Sequence, residues 1–320
     1  MNKVKSKVLV SALALAVMLA FAGTAQAAKS FVSIATGGTA GTYYPLGGAI
    51  AKAVSTDPEL QATAETGNAS VANVNLITKG EIEIAFVQND ISFWAYNGQL
   101  MFKEPLKNLR AIASLYPEHV QIILAGNAGI KTIDDLKGKR VGVGAPGSGT
   151  EGDAQAIFGV AGIKYDEMNV NFLDFAATTS RFKDNQIEAG FVVAGYPTAS
   201  VMDLATTKDI AMLSFDDATM EKLVKAHPYF VPSVIPAGTY SKIDTDVKTP
   251  AVMAILITND KTPEDVIYRF TKGMFENLGV IHAAHAKGKE INLETALDGL
   301  TVPLHPGAAK YFKEKGMKVE

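Results

Sequence analysis

Phe31 to Ser55 reads FVSIATGGTAGTYYPLGGAIAKAVS, and the order of residue types in it decides the fold. Phe31 to Ala35 is an apolar, β-branched run of strand length, Thr36 to Thr42 is a Gly/Thr turn, and after Pro45 the apolar Leu46, Ala49, Ile50 and Ala53 recur at helical spacing. Strand, glycine loop and helix in that order make a cradle for an anion. The glycines let backbone approach closely, and the free N–H groups of the helix start face a carboxylate or phosphate. A single loop of this kind is equally an ordinary βα connection, so the reading needs a second occurrence.

That occurrence is Val141 to Gly162, VGVGAPGSGTEGDAQAIFGVAG, again strand, glycine loop and helix, with Ala154, Ile157, Phe158 and Ala161 on one face and Thr150 with Asp153 in the pattern of a capping box. Gly41-Thr42 matches Gly149-Thr150 at an offset of 108 residues, and Ile82 of GEIEIAFV matches Ile187 of NQIEAGFV at an offset of 105. Two matches in the same order predict two similar α/β lobes whose helix N-termini face one cleft, so that a bound anion meets both positive dipole ends. Neither loop carries a Lys or Arg. Ligand charge then meets dipoles, completed by the hydroxyls of Thr39, Thr42, Ser148 and Thr150 and the phenols of Tyr43 and Tyr44. A distant arginine such as Arg181 could still swing into the cleft.

Between the loops, Leu60 to Thr66 predicts a strand and Ser70, as N-cap, opens a helix that Gly80 closes. Ile82 to Val87 predicts the next strand, which puts Gln88, Asn89 and Asp90 at its carboxyl end, where open α/β sheets keep ligand groups. Asp90 is open to two readings: it faces the ligand, or it caps a helix over Ser92 to Tyr96. Trp94, Tyr96 and Phe102 read as packing. Arg110 to Gly126 predicts two strands broken at Pro117.

Met1 to Ala27 has Lys3, Lys5 and Lys7, an apolar run from Val8 to Ala22, and Ala25-Gln26-Ala27, the layout of a secretory signal cleaved near Ala27. The run is shorter than the roughly 20 residues of a membrane span. About 293 residues remain, enough for two lobes with a real core at 48% hydrophobic content. Loss of three lysines takes the formal charge from −3 to about −6, with no basic block, so nucleic-acid binding has no electrostatic footprint. With no cysteine, thiol chemistry and Cys-based metal sites are excluded.

Several motifs are decoys. Gly142-x-Gly144-x-x-Gly147 meets the dinucleotide fingerprint in form, but Pro146 interrupts it and an exported chain meets no nicotinamide cofactor; no P-loop Lys or Gly-x-Ser-x-Gly elbow follows either loop. His282 and His285 lie three apart on an expected helix with no third ligand nearby. No nucleophile with a paired base is visible, though an exported enzyme acting on a small organic anion stays as the alternative function.

Taken together, Gly37-Gly38-Thr39-Ala40-Gly41-Thr42-Tyr43-Tyr44-Pro45, Thr66-Gly67-Asn68-Ala69-Ser70-Val71-x-Asn73, Gln88-x-Asp90, Gly147-Ser148-Gly149-Thr150, Gly195-Tyr196-Pro197, Ile235-Pro236-Ala237-Gly238-Thr239-Tyr240 and Pro303-Leu304-His305-Pro306-Gly307-Ala308 resemble, in order, the solute receptor of a TAXI-type TRAP transporter. Ala40 stands where that family suggests a third glycine. The resemblance implies a two-lobed type II periplasmic binding protein, α/β, with a ligand cleft between the lobes. It implies a monomer without cofactor or metal, located in the periplasm, that hands a small acidic ligand to membrane permease subunits. The ligand class it implies is an acidic amino acid such as glutamate or a small dicarboxylate such as 2-oxoglutarate. By the same resemblance the lobes are 28–115 with 232–320, and 116–231, with the chain crossing near Leu115 to Val120 and returning near Val231 to Tyr240, where Pro117, Pro232 and Pro236 stiffen the strands. It adds Gly38, Ser70, Gln88, Asp90, Gly149 and Tyr196 to the hydroxyl-bearing ligand residues. It sets Asp90 against the ligand, where its carboxylate would take the α-ammonium of an amino acid.

Overall fold

A computed structural model describes residues 29–319; the expected signal segment, 1–27, lies outside the described residues. β1 (Ser30–Ala35) leads through the first glycine loop into α1 (Tyr43–Val54), β2 (Leu60–Glu65) into α2 (Ser70–Lys79), and β3 (Ile84–Gln88) into α3 (Asn89–Asn97). β1 lies parallel between β2 and β3. The helical spacing read from the sequence buries Leu46, Ala49, Ile50 and Ala53 of α1 with Phe86, Leu115 and Tyr116 in the core of this half.

β4 (Leu109–Ala125) is one strand of 17 residues, not two. Pro117 sits inside it without breaking it. The strand pairs with β10 up to His119 and with β7 from His119 onward, so at Pro117 one edge has no partner and the missing N–H interrupts no ladder there.

The second half follows the plan of the first: β5 (Arg140–Gly142), α4 (Gly149–Ala161), β6 (Asn169–Asn171), α5 (Phe175–Lys183), β7 (Ala189–Ala194), α6 (Ala199–Thr207), β8 (Ile210–Met212), α7 (Asp217–Ala226), β9 (Val231–Ile235) and β10 (Val247–Asn259). β5 lies parallel between β6 and β7, and Asn185 takes the left-handed position after α5 at φ 56°. The chain ends with α8 (Glu264–Glu276), α9 (Leu278–His282) and α10 (Pro306–Glu314), which pack on the first half.

One sheet runs through both halves in the order β2-β1-β3-β10-β4-β7-β5-β6. β4 and β10, antiparallel neighbours at its centre, carry the chain between the halves: β10 pairs with β9 at Val247–Ala251 and with β3 at Ala254–Ile257. The return passage is therefore in β10, later than Val231 to Tyr240. Ile235, Tyr240, Ile243 and Val247 bury with Ile123, Val192, Val201 and Leu204 of the second half, so this segment stays there until the apolar run Ala254–Ile257 enters the sheet centre.

Candidate functional site

Among the described residues, five helices begin at one cavity of about 190 Å³ between the halves. Gly38, Thr39, Thr42 and Tyr43 bring the start of α1, Ala69 and Ser70 that of α2, and Gln88 that of α3; from the other half come Ser148, Gly149 and Thr150 of α4 and Asp174, Phe175 and Ala176 of α5. The strands order this convergence, because each glycine or polar turn follows the carboxyl end of a parallel strand and feeds a helix. First-turn amides have no acceptor within their own helix, and here those of Tyr43, Gly149 and Thr150 find none elsewhere in the described protein. Positive helix ends and free N–H groups thus meet at the wall of one cavity.

Local caps differ from the sequence reading. Ser148, not Thr150 with Asp153, caps α4: its Oγ accepts from Glu151 N at 3.2 Å and donates to Ala145 O at 2.8 Å. Asp153 instead accepts from Gln88 Nε2 at 2.8 Å. Ser70 is the first residue of α2 rather than its cap, and its Oγ accepts from Gln88 N at 3.1 Å.

The halves touch around the cavity. Thr42 Oγ1 donates to Gly195 O at 2.9 Å, Ser200 N to Ala40 O at 3.2 Å and Ala72 N to Gly147 O at 3.1 Å. Gly149 packs on the Gln88 carboxamide so tightly that a Cβ there would overlap it. Farther along the seam, Trp94 Nε1 donates to Tyr229 Oη at 2.7 Å, and the indole edge rests against Gly152.

No Lys, Arg or His lines the cavity among the described residues; the titratable groups on its wall are Tyr43, Glu118 and Asp174. Burial pushes the Glu118 carboxyl up to about 8, so at neutral pH it is protonated, and Tyr43 Oη donates to its Oε2 at 2.7 Å. Burial likewise raises the Tyr43 phenol. A neutral acid offers an O–H donor without repelling an anion. Glu118 was not among the residues expected from sequence. Its signal was the lone carboxylate of the run Leu109–Ala125, beside Pro117, legible only once that run is known to cross between the halves.

Of the residues expected at the ligand, Gly38, Thr39, Thr42, Tyr43, Ser70, Gln88, Ser148, Gly149 and Thr150 line the cavity. Three are elsewhere. Tyr44 is 37% exposed and faces a surface groove with Pro45 and Lys52, because the helical turn that points Tyr43 inward points its neighbour out. Tyr196 lies under Lys287, whose Nζ is 3.9 Å from the ring centroid, and edge-on to His119. Asp90 is fully buried on α3 beside Asp153, away from the cavity wall. Arg181 bonds Gln186. His282 and His285 bond the carbonyls of Ile291 and Pro197, and no cluster of three metal-ligating side chains occurs among the described residues.

The architecture has solved counterparts. A protein of Bordetella bronchiseptica RB50 matches with a TM-score of 0.58 at 17% identity over 90% of this chain and 99% of its own. The alkanesulfonate-binding protein SsuA from Xanthomonas axonopodis pv. citri, bound to MOPS, matches at 0.51 and 13% identity over 89% and 84%. A periplasmic transporter matches at 0.52 and 11% identity over 89% and 92%. At these identities the shared property is the fold, a two-lobed α/β binding-protein architecture with its cleft between the lobes. Residues 34–316 match the model of one family, and the chain belongs to that NMT1-like family.

Proposed function

We propose that this chain is the extracytoplasmic solute receptor of a TAXI-type TRAP transporter. It captures a small acidic ligand, a glutamate-like amino acid or a dicarboxylate such as 2-oxoglutarate, and delivers it to membrane permease subunits. The observation that carries this reading is the cavity at the seam: five helix starts, free amides at Tyr43, Gly149 and Thr150, and no cationic side chain on its wall. Oriented amides stabilise a carboxylate by roughly 0.3–2 kcal/mol per helix end. The volume bounds the ligand. An apolar cavity of about 150 Å³ takes a benzene, so about 190 Å³ suits roughly six to ten non-hydrogen atoms, the size of glutamate or 2-oxoglutarate. Family membership and the folds of a sulfonate receptor and a periplasmic transporter support a transport role over an enzymatic one. In this reading Thr39, Thr42, Tyr43, Ser70, Gln88, Gly149 and Thr150 are the ligand shell.

A thermal-shift screen with amino acids, dicarboxylates and alkanesulfonates tests it. A ligand at 100 times its Kd adds about 2.7 kcal/mol to stability, and the largest shift is expected from a glutamate-like compound or a dicarboxylate. A panel in which no carboxylate shifts the melting temperature sinks the acidic-ligand reading. Turnover of the bound compound would favour an enzyme.

A further inference from the structure

Behind Gln88, on the far side of the seam from the cavity wall, two carboxyls meet that belong to different halves. Asp90 stands in the first turn of α3 and Asp153 in α4, and both are fully buried. Gln88 Nε2 satisfies Asp153 Oδ2, but Asp153 Oδ1 and both oxygens of Asp90 find no donor in the protein. Two carboxylates are acceptors only and cannot bond to each other; a single proton shared between them supplies the missing donor. We propose that the Asp90–Asp153 pair is a proton site assembled by closure of the two halves, so that closing the cleft takes up a proton.

The surroundings supply little other compensation: the backbone amides of Asp90 and Ile91, at the start of α3, favour the charged form of Asp90, and burial outweighs them. From β4 the nearest titratable group is Glu118, itself an acid. From the segment before β9 it is Tyr229, bonded to Trp94 Nε1 and to His227 Nδ1. From α1 and α2 the neighbours at Gln88 and Glu118 are Ser70 and Tyr43. No Lys, Arg or His among the described residues bonds either carboxyl. Burial raises Asp90 to about 6, and burial with the charge of Asp90 raises Asp153 further.

The direction follows. With the halves apart each carboxyl meets water and titrates near its ordinary value of about 4. Closure brings them together in a dry contact and raises the affinity for one proton. Lowering the pH between those limits therefore favours the closed form, by up to about tenfold per pH unit for one proton. The device does not depend on which solute the cavity takes.

The cysteine-free chain permits a direct test without a ligand. Gly48→Cys and Met202→Cys place dyes at exposed positions on α1 and α6, helices of opposite halves that begin at the Ala40–Ser200 contact. Energy transfer then reads the closed-to-open ratio from pH 8 to pH 5. The ratio is expected to rise as pH falls, and Asp90→Asn and Asp153→Asn are each expected to remove most of that slope while leaving the protein more closed at pH 8. Glu118→Gln is expected to keep the slope. A ratio that does not change with pH in the parent protein overturns the proposal. So does a slope that survives either Asn variant that folds, or one that disappears in Glu118→Gln, which would assign the proton to Glu118.

Discussion

Tyr43, at the start of the first helix, donates from its hydroxyl to Oε2 of Glu118 in the strand that crosses between the halves, at 2.7 Å in a fully buried contact. The pair joins a wall of the cavity to the strand that pairs with both halves. Because Glu118 has no cation beside it, its burial is tolerable only with the proton on.

That gives a pH dependence of stability with a defined sign. In the folded protein Glu118 holds its proton to about pH 8, whereas the unfolded chain releases it near 4.5. Between those values the native state binds more protons, so stability falls as pH rises, the contribution being fully present below about 4.5. Its upper limit is about 5 kcal/mol. Chemical denaturation at pH 5, 6.5 and 8 should show declining stability, and Glu118→Gln should flatten the decline. An unchanged slope in the variant would mean that Glu118 is ionised in the fold.

Gly149→Ala should block closure without unfolding either half. The added methyl would overlap the Gln88 carboxamide across the seam, a contact that exists only when the halves meet. We expect a melting temperature close to the parent's and loss of the shift produced by whichever acid the screen identifies, with calorimetric affinity down at least tenfold. A retained shift would show that Gln88 turns aside at little cost.

Thr42→Val removes the hydroxyl that reaches Gly195 O while keeping side-chain volume. Gly195 O retains Thr198 as a donor at 3.0 Å, so no carbonyl is orphaned. The loss is about 1 kcal/mol from the closed form, or roughly fivefold in affinity, mostly in the dissociation rate.

Ser148→Ala should act on stability. Its hydroxyl is committed to the cap of Glu151 N and to Ala145 O, so unfolding free energy should drop by about 1 kcal/mol. Thr150→Val is the contrasting change: its Oγ1 has only a 3.4 Å contact from Val193 N, leaving it free for ligand. Affinity should fall in Thr150→Val more than in Ser148→Ala; the reverse order would give Ser148 the ligand contact.

What sequence made legible was local. The strand, glycine loop and helix units were visible at Phe31–Ser55 and Val141–Gly162 because periodicity and turn chemistry act within a few residues, and the cavity forms where those units end. What was not legible depended on partners far along the chain. Asp90, open in the sequence to a ligand or a capping reading, stands off the cavity wall because it packs beside Asp153. Tyr196 was taken by Lys287 from the C-terminal segment. Pro117 read as a break because nothing local says that one edge of its strand lacks a partner there.

Trp94 is the lone tryptophan of the chain, and its indole spans the seam, bonded to Tyr229 and packed on Gly152. Separation of the halves would strip the ring of both contacts and admit water to it. The molecule therefore carries its own optical gauge: emission from one unlabelled side chain should shift to longer wavelength as the cleft opens, so a single cuvette can follow the motion in real time.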